Sequence, residues 1–273
     1  MALADHFDGL LIDLDGVVWI GREPVPGSPE ALRALLEAGR RLVFVTNNPG
    51  RPPAAYAERL RGLGVEVGEE QIVTAGMAVA RLAGEAAGAG GGAFVIGASA
   101  LKEMVAATGA RLLEDEEAWE ADVVVVSGHR DFDYDELATA KRALDGGAAL
   151  FATSHDPTMP YPGGELPGTG AVLAAVEVAS GRQAKIAGKP ERHLFEMALE
   201  ALRGSFVGPE TTKEPRNLRV AMIGDRVSSD IEGGRRAGLE TVLVLSGTTS
   251  REEAEAADPA PDFLLDDLAG LLA

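Results

Sequence analysis

Carboxylate, hydroxyl and amide side chains directly follow three short apolar runs of this sequence. They are Asp13 and Asp15 after residues 10–12, Thr46, Asn47 and Asn48 after residues 42–45, and Asp225 after residues 218–223. In open α/β sheets, ligands bind outside the carboxyl ends of the parallel strands. The three groups are therefore predicted to meet at one edge of a sheet and to form a polar site there.

The acidic members of this set point to a metal ion. Asp13 and Asp15 are two residues apart, and this spacing places both side chains on the same face of an extended chain. Two adjacent carboxylates repel each other unless a cation lies between them or one is protonated. Asp225 would add a third carboxylate. Such hard oxygen ligands predict a divalent ion, with Mg²⁺ as the best match.

Each motif also has a purely structural explanation. Asp15-Gly16 between apolar runs is typical of a hairpin turn, and residues 46–50 could form a polar turn before a helix. Asp225 could belong to a turn that leads into a helix. Lys189, one of five lysines in the chain, could be a solvated residue before a helix. The occurrence of all four motifs in one chain favours a functional site.

The composition excludes several classes of function. The chain has 273 residues, 25 Lys and Arg against 43 Asp and Glu, and a formal net charge of −18 at pH 7. Such a surface repels nucleic acid and anionic lipid, so neither is an expected partner. The absence of cysteine excludes disulfides and thiol catalysis. Since no signal peptide and no membrane-spanning run is visible, we expect a soluble, cytoplasmic protein.

The elements that must position these residues alternate along the chain. Short apolar runs typical of parallel strands covered on both faces occur four times. They are residues 9–12, 42–45, 218–223 and 241–245. Helical segments lie between several of them, and one is predicted to begin where Ser28, as N-cap, precedes Pro29. This alternation predicts an α/β protein with a Rossmann-like, three-layer parallel sheet as its core.

A second, smaller α/β unit interrupts this pattern. Further apolar runs at residues 93–96 and 123–126 are accompanied by helical stretches of their own. We therefore predict two domains. Residues 1–79 and 183–273 would form the core domain, and residues 80–182 would form a smaller domain inserted into it.

The order of the motifs resembles that of the haloacid dehalogenase-like phosphatase superfamily. Its four motifs are matched by Asp13-Leu14-Asp15-Gly16-Val17-Val18, Thr46-Asn47-Asn48, Gly188-Lys189-Pro190 and the segment from Gly224-Asp225 to Asp230. The roughly 140 residues between the second and third motifs resemble the type II cap of that superfamily. The segment 167–181, which precedes the third motif, is similar to subclass IIA, the p-nitrophenyl phosphatase-like group.

This resemblance implies a role for each site residue. Asp13 would be the nucleophile that forms an aspartyl-phosphate, and Asp15 would act first as general acid and then as general base. Lys189 would stabilise the charge of the nucleophile and of the phosphoryl group. The expected ligands of Mg²⁺ are Asp13, the backbone carbonyl of Asp15, and Asp225, with Asp230 behind them or in contact through water. The expected phosphate-binding residues are Thr46, Asn47, Asn48 and Lys189.

The resemblance also implies a function. It predicts a Mg²⁺-dependent phosphomonoesterase acting on a small phosphorylated metabolite, such as glycerol 3-phosphate, 2-phosphoglycolate or a nucleoside monophosphate, with p-nitrophenyl phosphate as an artificial substrate. The inserted domain would be a lid, or cap, over the active site. His129, His155 and Met159 lie in cap segments where the sequence departs from that of many relatives, and their roles stay open. A homodimer formed through the cap is a further expectation.

Two other functions fit the same motifs. In a phosphate-sensing module, Asp13 would accept a phosphoryl group without turnover. In a phosphotransferase of the same superfamily, the phosphoryl group would pass to a second substrate instead of water. The second carboxylate at Asp15 and the large cap favour hydrolysis over both.

Overall fold

The computed structural model describes residues 2–161, 163–204 and 218–273, which form fifteen strands and nine α-helices. The strands are β1 (Gly9–Asp13), β2 (Trp19–Ile20), β3 (Glu23–Pro24), β4 (Arg41–Thr46), β5 (Ile72–Thr74), β6 (Gly92–Ile96), β7 (Arg111–Leu112), β8 (Val123–Val126), β9 (Ala149–Ala152), β10 (Thr158–Tyr161), β11 (Gly164–Pro167), β12 (Lys185–Ile186), β13 (Val220–Gly224), β14 (Glu240–Val244) and β15 (Phe263–Leu265). The helices are α1 (Ser28–Glu37), α2 (Pro53–Gly62), α3 (Ala75–Ala87), α4 (Ser99–Ala106), α5 (Tyr134–Asp145), α6 (Thr169–Ser180), α7 (Arg192–Gly204), α8 (Glu232–Arg236) and α9 (Arg251–Ala256).

The larger sheet has six parallel strands in the order β15-β14-β13-β1-β4-β5. Its central strand β1 is buried along its whole length. Successive side chains of β1 alternate between two hydrophobic clusters: Leu10 and Ile12 pack on one face of the sheet, and Leu11 packs on the other. The parallel pairing and the burial of both faces confirm the predicted α/β fold with a three-layer core.

A second sheet has five parallel strands in the order β12-β9-β8-β6-β7, drawn from residues 92–186. Helix α3 joins the two sheets. Its apolar residues Ala78, Val79 and Ala83 share one buried cluster with β4 of the larger sheet and β6 of the second sheet. The antiparallel pair β10–β11 forms a separate two-stranded sheet. Among the described residues, none of the helices combines the length and the apolar character needed to cross a bilayer.

Two local predictions differ from the structure. Ser28 does not cap α1: the helix starts at Ser28, after Gly27, whose φ is 81°. The buried Ser28 hydroxyl instead donates to the carbonyl of Val17 at 2.8 Å, because a hydroxyl without a partner in the core would cost free energy. A hairpin does follow Asp15-Gly16, but its strands are β2 and β3, so the chain reverses at residues 21–22.

Candidate active site

The ends of three neighbouring strands create a polar site at one edge of the larger sheet. Asp13 is the last residue of β1, Thr46 is the last residue of β4, and Asp225 directly follows β13. Because β1 pairs with both β4 and β13 in parallel, these three residues lie at the same edge. All three are at most 6% exposed. Carboxylates with so little water around them need partners of opposite charge.

Lys189 is the partner of two of the carboxylates. Its Nζ lies 2.5 Å from Asp13 Oδ1 and 2.6 Å from Asp230 Oδ1. Lys189 itself is 3% exposed. Asp230 lies in a π-helical turn, Val227–Ile231, and its other oxygen accepts a hydrogen bond from the backbone N–H of Arg226 at 3.0 Å. Both oxygens of Asp230 are thus engaged, and its side chain holds the lysine against Asp13.

The side chain of Asn47 holds the backbone of Lys189. Asn47 Oδ1 accepts from the Lys189 N–H at 2.8 Å, and Asn47 Nδ2 donates to the Lys189 carbonyl at 3.0 Å. The same Nδ2 donates to Asp156 Oδ2 at 2.7 Å, in the loop between β9 and β10. An amide with these three partners positions the lysine and ties the loop to the sheet edge. Because its side-chain amide is engaged in these bonds, the group that Asn47 can offer to a substrate is its backbone N–H.

The acidic cluster places three carboxyl groups around one ammonium group. Oxygen atoms of Asp13, Asp225 and Asp230 lie within 4.8 Å of one another. Burial raises the pKa of Asp13 well above its ordinary value, although Lys189 opposes this shift. Burial, together with the charge of Asp230, raises the pKa of Asp225 to about 6. Burial alone would lower the pKa of Lys189, but the carboxylates of Asp13 and Asp230 raise it, so the amine stays protonated.

Glycines surround the Asp225 carboxylate closely. Asp225 Oδ2 accepts from the Thr248 N–H at 2.6 Å. A Cβ placed on Gly16 would lie 2.4 Å from this oxygen, and one on Gly247 would lie 2.1 Å from it. Gly16 also has a φ of 93°, which side chains rarely tolerate. The Asp15-Gly16 step is therefore needed for the site, because no other residue type fits beside Asp225.

The carboxyl group of Asp15 lies outside the cluster of three carboxylates. Its Oδ1 accepts a hydrogen bond from Trp19 Nε1 at 3.1 Å. Burial raises the pKa of Asp15, and the hydrogen bond from Trp19 and the charge of Arg59 oppose this shift. Two carboxyl groups two residues apart thus have different environments, since Asp13 contacts an ammonium group and Asp15 contacts an indole.

Thr46 and Asn48 belong to a tight turn at the end of β4. Thr46 Oγ1 accepts from the Asn48 N–H at 3.1 Å, and Asn48 Oδ1 accepts from the Gly50 N–H at 3.0 Å. Since the Thr46 hydroxyl acts as acceptor in this turn, its proton remains to be donated. The turn predicted from residues 46–50 and the predicted polar site are therefore the same feature.

The structure adds further residues to the site and places His129, His155 and Met159, whose roles the sequence left open. Trp19 contacts Asp15, and Asp156 contacts Asn47, which is 109 positions away. Trp19 could have been suspected from its position four residues after Asp15, and Asp156 lies in the loop 153–161, which the family resemblance predicts to face the active site. His129 Nε2 lies 2.8 Å from Glu136 Oε2. The other two open residues are His155, which is exposed, and Met159, which is 36% exposed.

Comparisons with known proteins identify the family. Residues 10–111 match the family model described as haloacid dehalogenase-like hydrolase, and residues 186–271 match one described as HAD-hydrolase-like. Chronophin from mouse is 36% identical over 278 residues, which cover 97% of this chain and 91% of that protein. This chain is a haloacid dehalogenase-like hydrolase.

Solved structures of other hydrolases of this family superpose closely. The magnesium complex of a glycerol phosphate phosphatase from Mycobacterium tuberculosis has a TM-score of 0.87 at 34% identity, over 100% of this chain and 78% of that one. A p-nitrophenyl phosphatase from Archaeoglobus fulgidus has a TM-score of 0.82 at 31% identity, over 97% and 98%. These likenesses confirm the predicted membership of subclass IIA, the p-nitrophenyl phosphatase-like group.

Proposed function

We propose that this hydrolase is a Mg²⁺-dependent phosphomonoesterase that cleaves a small phosphorylated metabolite through an aspartyl-phosphate on Asp13. The observation that carries the proposal is the buried contact of Lys189 with both Asp13 and Asp230 at the sheet edge. The positive charge of an ammonium group in contact with a buried carboxylate reduces the repulsion between that carboxylate and an anionic phosphate. Residues 1–79 and 183–273 would form the catalytic core, and residues 80–182 the cap.

The acidic cluster fits a divalent cation. If its three carboxylates all ionise, Lys189 balances only one of the charges, and their close-set hard oxygens are the donors that Mg²⁺ prefers. Asp13, Asp225 and the backbone carbonyl of Asp15 would hold the ion. Asp230, both of whose oxygens are engaged, would contact it through water. Bound Mg²⁺ supplies positive charge that allows a phosphate anion to approach this acidic site.

Asp13 would act as the nucleophile. One of its oxygens attacks the phosphorus atom, a phosphorus–oxygen bond to Asp13 forms, and the bond to the leaving oxygen breaks. Lys189 favours the ionised form of the attacking carboxylate and lowers the energy of the negative charge on the phosphoryl oxygens. The Thr46 hydroxyl and the backbone N–H of Asn47 would donate hydrogen bonds to the same phosphoryl oxygens. Asn48 stabilises the turn that positions these two donors.

Asp15 would move the protons. Its buried carboxyl group, whose pKa is raised, donates a proton to the leaving oxygen in the first step. As a carboxylate it then removes a proton from the water that attacks the aspartyl-phosphate. This second step releases inorganic phosphate and restores both aspartates. The different surroundings of Asp13 and Asp15 thus fit a nucleophile and an acid–base residue.

The first substrate to test is glycerol 3-phosphate, because a close structural relative is a glycerol phosphate phosphatase. 2-Phosphoglycolate and nucleoside monophosphates follow as small phosphate esters, and p-nitrophenyl phosphate serves as the chromogenic ester. Assembly of two copies through residues 80–182 is part of the same proposal. Sedimentation of the purified protein, alone and with that segment's surface substituted, tests it.

A phosphate-release assay over these esters tests the proposed function. We expect repeated turnover with Mg²⁺ and a loss of roughly 10³-fold or more after treatment with EDTA, because the cation neutralises charge that otherwise repels the substrate. Readdition of Mg²⁺ should restore the rate. A single phosphorylation of Asp13 without phosphate release would indicate the phosphate-sensing module instead. Transfer to an added alcohol in preference to water would indicate the phosphotransferase.

The pKa of Asp225 predicts how Mg²⁺ stabilises the fold at different pH. This pKa is about 6 in the folded protein, above its value in the unfolded chain, so Asp225 favours folding at low pH and loses that contribution as pH rises through 6. Protons and Mg²⁺ compete for the same oxygens. We expect Mg²⁺ to raise the Tm by roughly 5 °C more at about pH 7.5 than at about pH 5. Calorimetry measures this difference, and the variant Asp225→Asn should abolish it.

A further inference from the structure

The Asp15 carboxyl group interacts with the side chains of Asn48 and Trp19, and the indole of Trp19 can only donate a hydrogen bond. Trp19 Nε1 donates to Asp15 Oδ1 at 3.1 Å, and Trp19 is completely buried. An indole has no acceptor, so the oxygen that it contacts must remain an acceptor. A carbonyl oxygen is a better acceptor than the oxygen of a C–OH group, so this bond favours Oδ2 as the atom that carries the proton when Asp15 is protonated.

The chain between Asp15 and Trp19 is tightly wound. The N–H groups of Val18 and Trp19 both donate to the carbonyl of Leu14, at 2.9 and 3.2 Å, and the N–H of Gly16 donates to the carbonyl of Trp19 at 2.7 Å. These bonds set where the indole stands relative to the carboxyl group. Free rotation of the Asp15 side chain would break the contact with Trp19.

Helix α2 holds the indole ring from outside. The guanidinium of Arg59 lies 3.8 Å from the centre of the Trp19 ring, and its Nη2 donates to the carbonyl of Gly21 at 2.8 Å. The ring of Tyr56 stacks on Trp19 with an interplanar angle of 6°. Tyr56 and Arg59 are three residues apart and so share one face of α2. We call these two residues the α2 clamp.

We propose that Trp19, held by the α2 clamp, is a positioning residue that keeps the acidic proton of Asp15 on Oδ2, the oxygen that serves the leaving group. The proposal rests on the proposed function. In the first step, the bond between phosphorus and the leaving oxygen breaks, and the Oδ2 proton passes to that oxygen. In the second step, Oδ2 takes a proton back from the attacking water. Trp19 donates to Oδ1 throughout and does not itself transfer a proton.

The dependence of the rate on the leaving group separates this role from a merely structural one. Phenolate, the leaving group of phenyl phosphate, is about as basic as a tyrosine side chain with its pKa of about 10, so its departure benefits from protonation. The nitro group makes p-nitrophenolate far less basic, and it departs without a proton. The parameter to compare is kcat/KM, because it reports the steps up to departure of the leaving group.

The experiment measures kcat/KM for both esters in saturating Mg²⁺ with the full chain. We expect Trp19→Phe to lower the value for phenyl phosphate about tenfold more than for p-nitrophenyl phosphate, since correct placement of a general acid contributes part of its 10²–10⁴-fold effect. Asp15→Asn should give the largest such ratio. Trp119→Phe is the matched control. The guanidinium of Arg142 lies 3.5 Å from the centre of the Trp119 ring, as that of Arg59 lies over Trp19, but Trp119 is far from Asp15 in sequence.

The kcat/KM values of these variants either support or overturn the proposed role of Trp19. An equal loss on both esters, or no loss on either, overturns the proposal. If Trp19→Phe does not fold, Arg59→Met decides instead, because it removes the charge above the ring and the bond to Gly21. This variant must then show the same selective loss on phenyl phosphate, and Arg59→Lys must partly restore it. If the unaltered protein hydrolyses neither ester, the proposed function itself is wrong and the proposal falls with it.

Discussion

Replacing Asp13 with asparagine is expected to lower phosphate release by roughly 10⁴-fold or more while the fold survives. The amide oxygen of asparagine is a poor nucleophile and cannot form a stable acyl-phosphate. It can still accept the hydrogen bond from Lys189 Nζ, which Asp13 Oδ1 accepts at 2.5 Å. Since the substitution also removes one of three clustered buried carboxylates, we expect the Tm of the Mg²⁺-free protein to stay the same or to rise.

Two measurements check this result. Phosphate release from p-nitrophenyl phosphate gives the activity, and acid quenching followed by mass spectrometry detects the phosphorylated aspartate in the unaltered protein only. Asp145→Asn is a suitable control, because Asp145 is a largely exposed acid paired with Lys141 on α5. Normal turnover by Asp13→Asn, or a phosphoryl group found on another residue, would remove Asp13 from the role of nucleophile.

Replacing Lys189 with methionine is expected to impair both stability and activity. The substitution leaves Asp13 and Asp230 buried without their shared cation, and breaking a buried ion pair in this way costs about 3–5 kcal/mol of unfolding free energy. Activity should fall by roughly 10²–10³-fold, because the phosphoryl charge loses a buried positive partner. Denaturant unfolding with and without Mg²⁺ measures the first effect, and kcat measures the second.

Two further variants show which effect belongs to which contact. Lys141→Met removes an exposed lysine that pairs with Asp145, and such pairs contribute at most about 1 kcal/mol, so stability should hardly change. Lys189→Met combined with Asp230→Asn should recover part of the lost stability, because no unpaired carboxylate remains at position 230. It should not recover activity. A double variant as unstable as the single one would contradict the assignment of Lys189 as the partner of Asp230.

The sheet and the chemical nature of the candidate site were readable from the sequence because both depend on neighbours along the chain. Runs of apolar residues such as 9–12 and 42–45 are typical of strands in a parallel sheet covered on both faces, and the strands of such a sheet all present their carboxyl ends at one edge. The acids and the threonine that follow these runs must therefore meet. Strands β5 and β15, three residues each, escaped prediction because so short a run has no recognisable period.

The contacts within the site depended on the tertiary structure. For Asn47 the family resemblance implied a role only for the backbone N–H, and the structure adds that its side chain bonds to the backbone of Lys189, 142 positions away, and to Asp156. Ser28 was expected to cap a helix, yet its hydroxyl donates to Val17. In both cases a polar side chain that is buried, as Ser28 is, or partly buried, as Asn47 is, bonds to the partner that the fold brings within reach.

The sequence by itself determined which residue types stand at the carboxyl ends of β1, β4 and β13, and hence that a buried acidic site exists at that edge. The family resemblance also pointed to Lys189 beside Asp13, and only the tertiary structure decided the other contacts, of Lys189 with Asp230 and of Trp19 with Asp15. The physical reason is the separation along the chain of the groups that interact. The alternation of buried positions is set by the local geometry of the chain, whereas a hydrogen bond between distant segments exists only after packing has fixed their separation and direction.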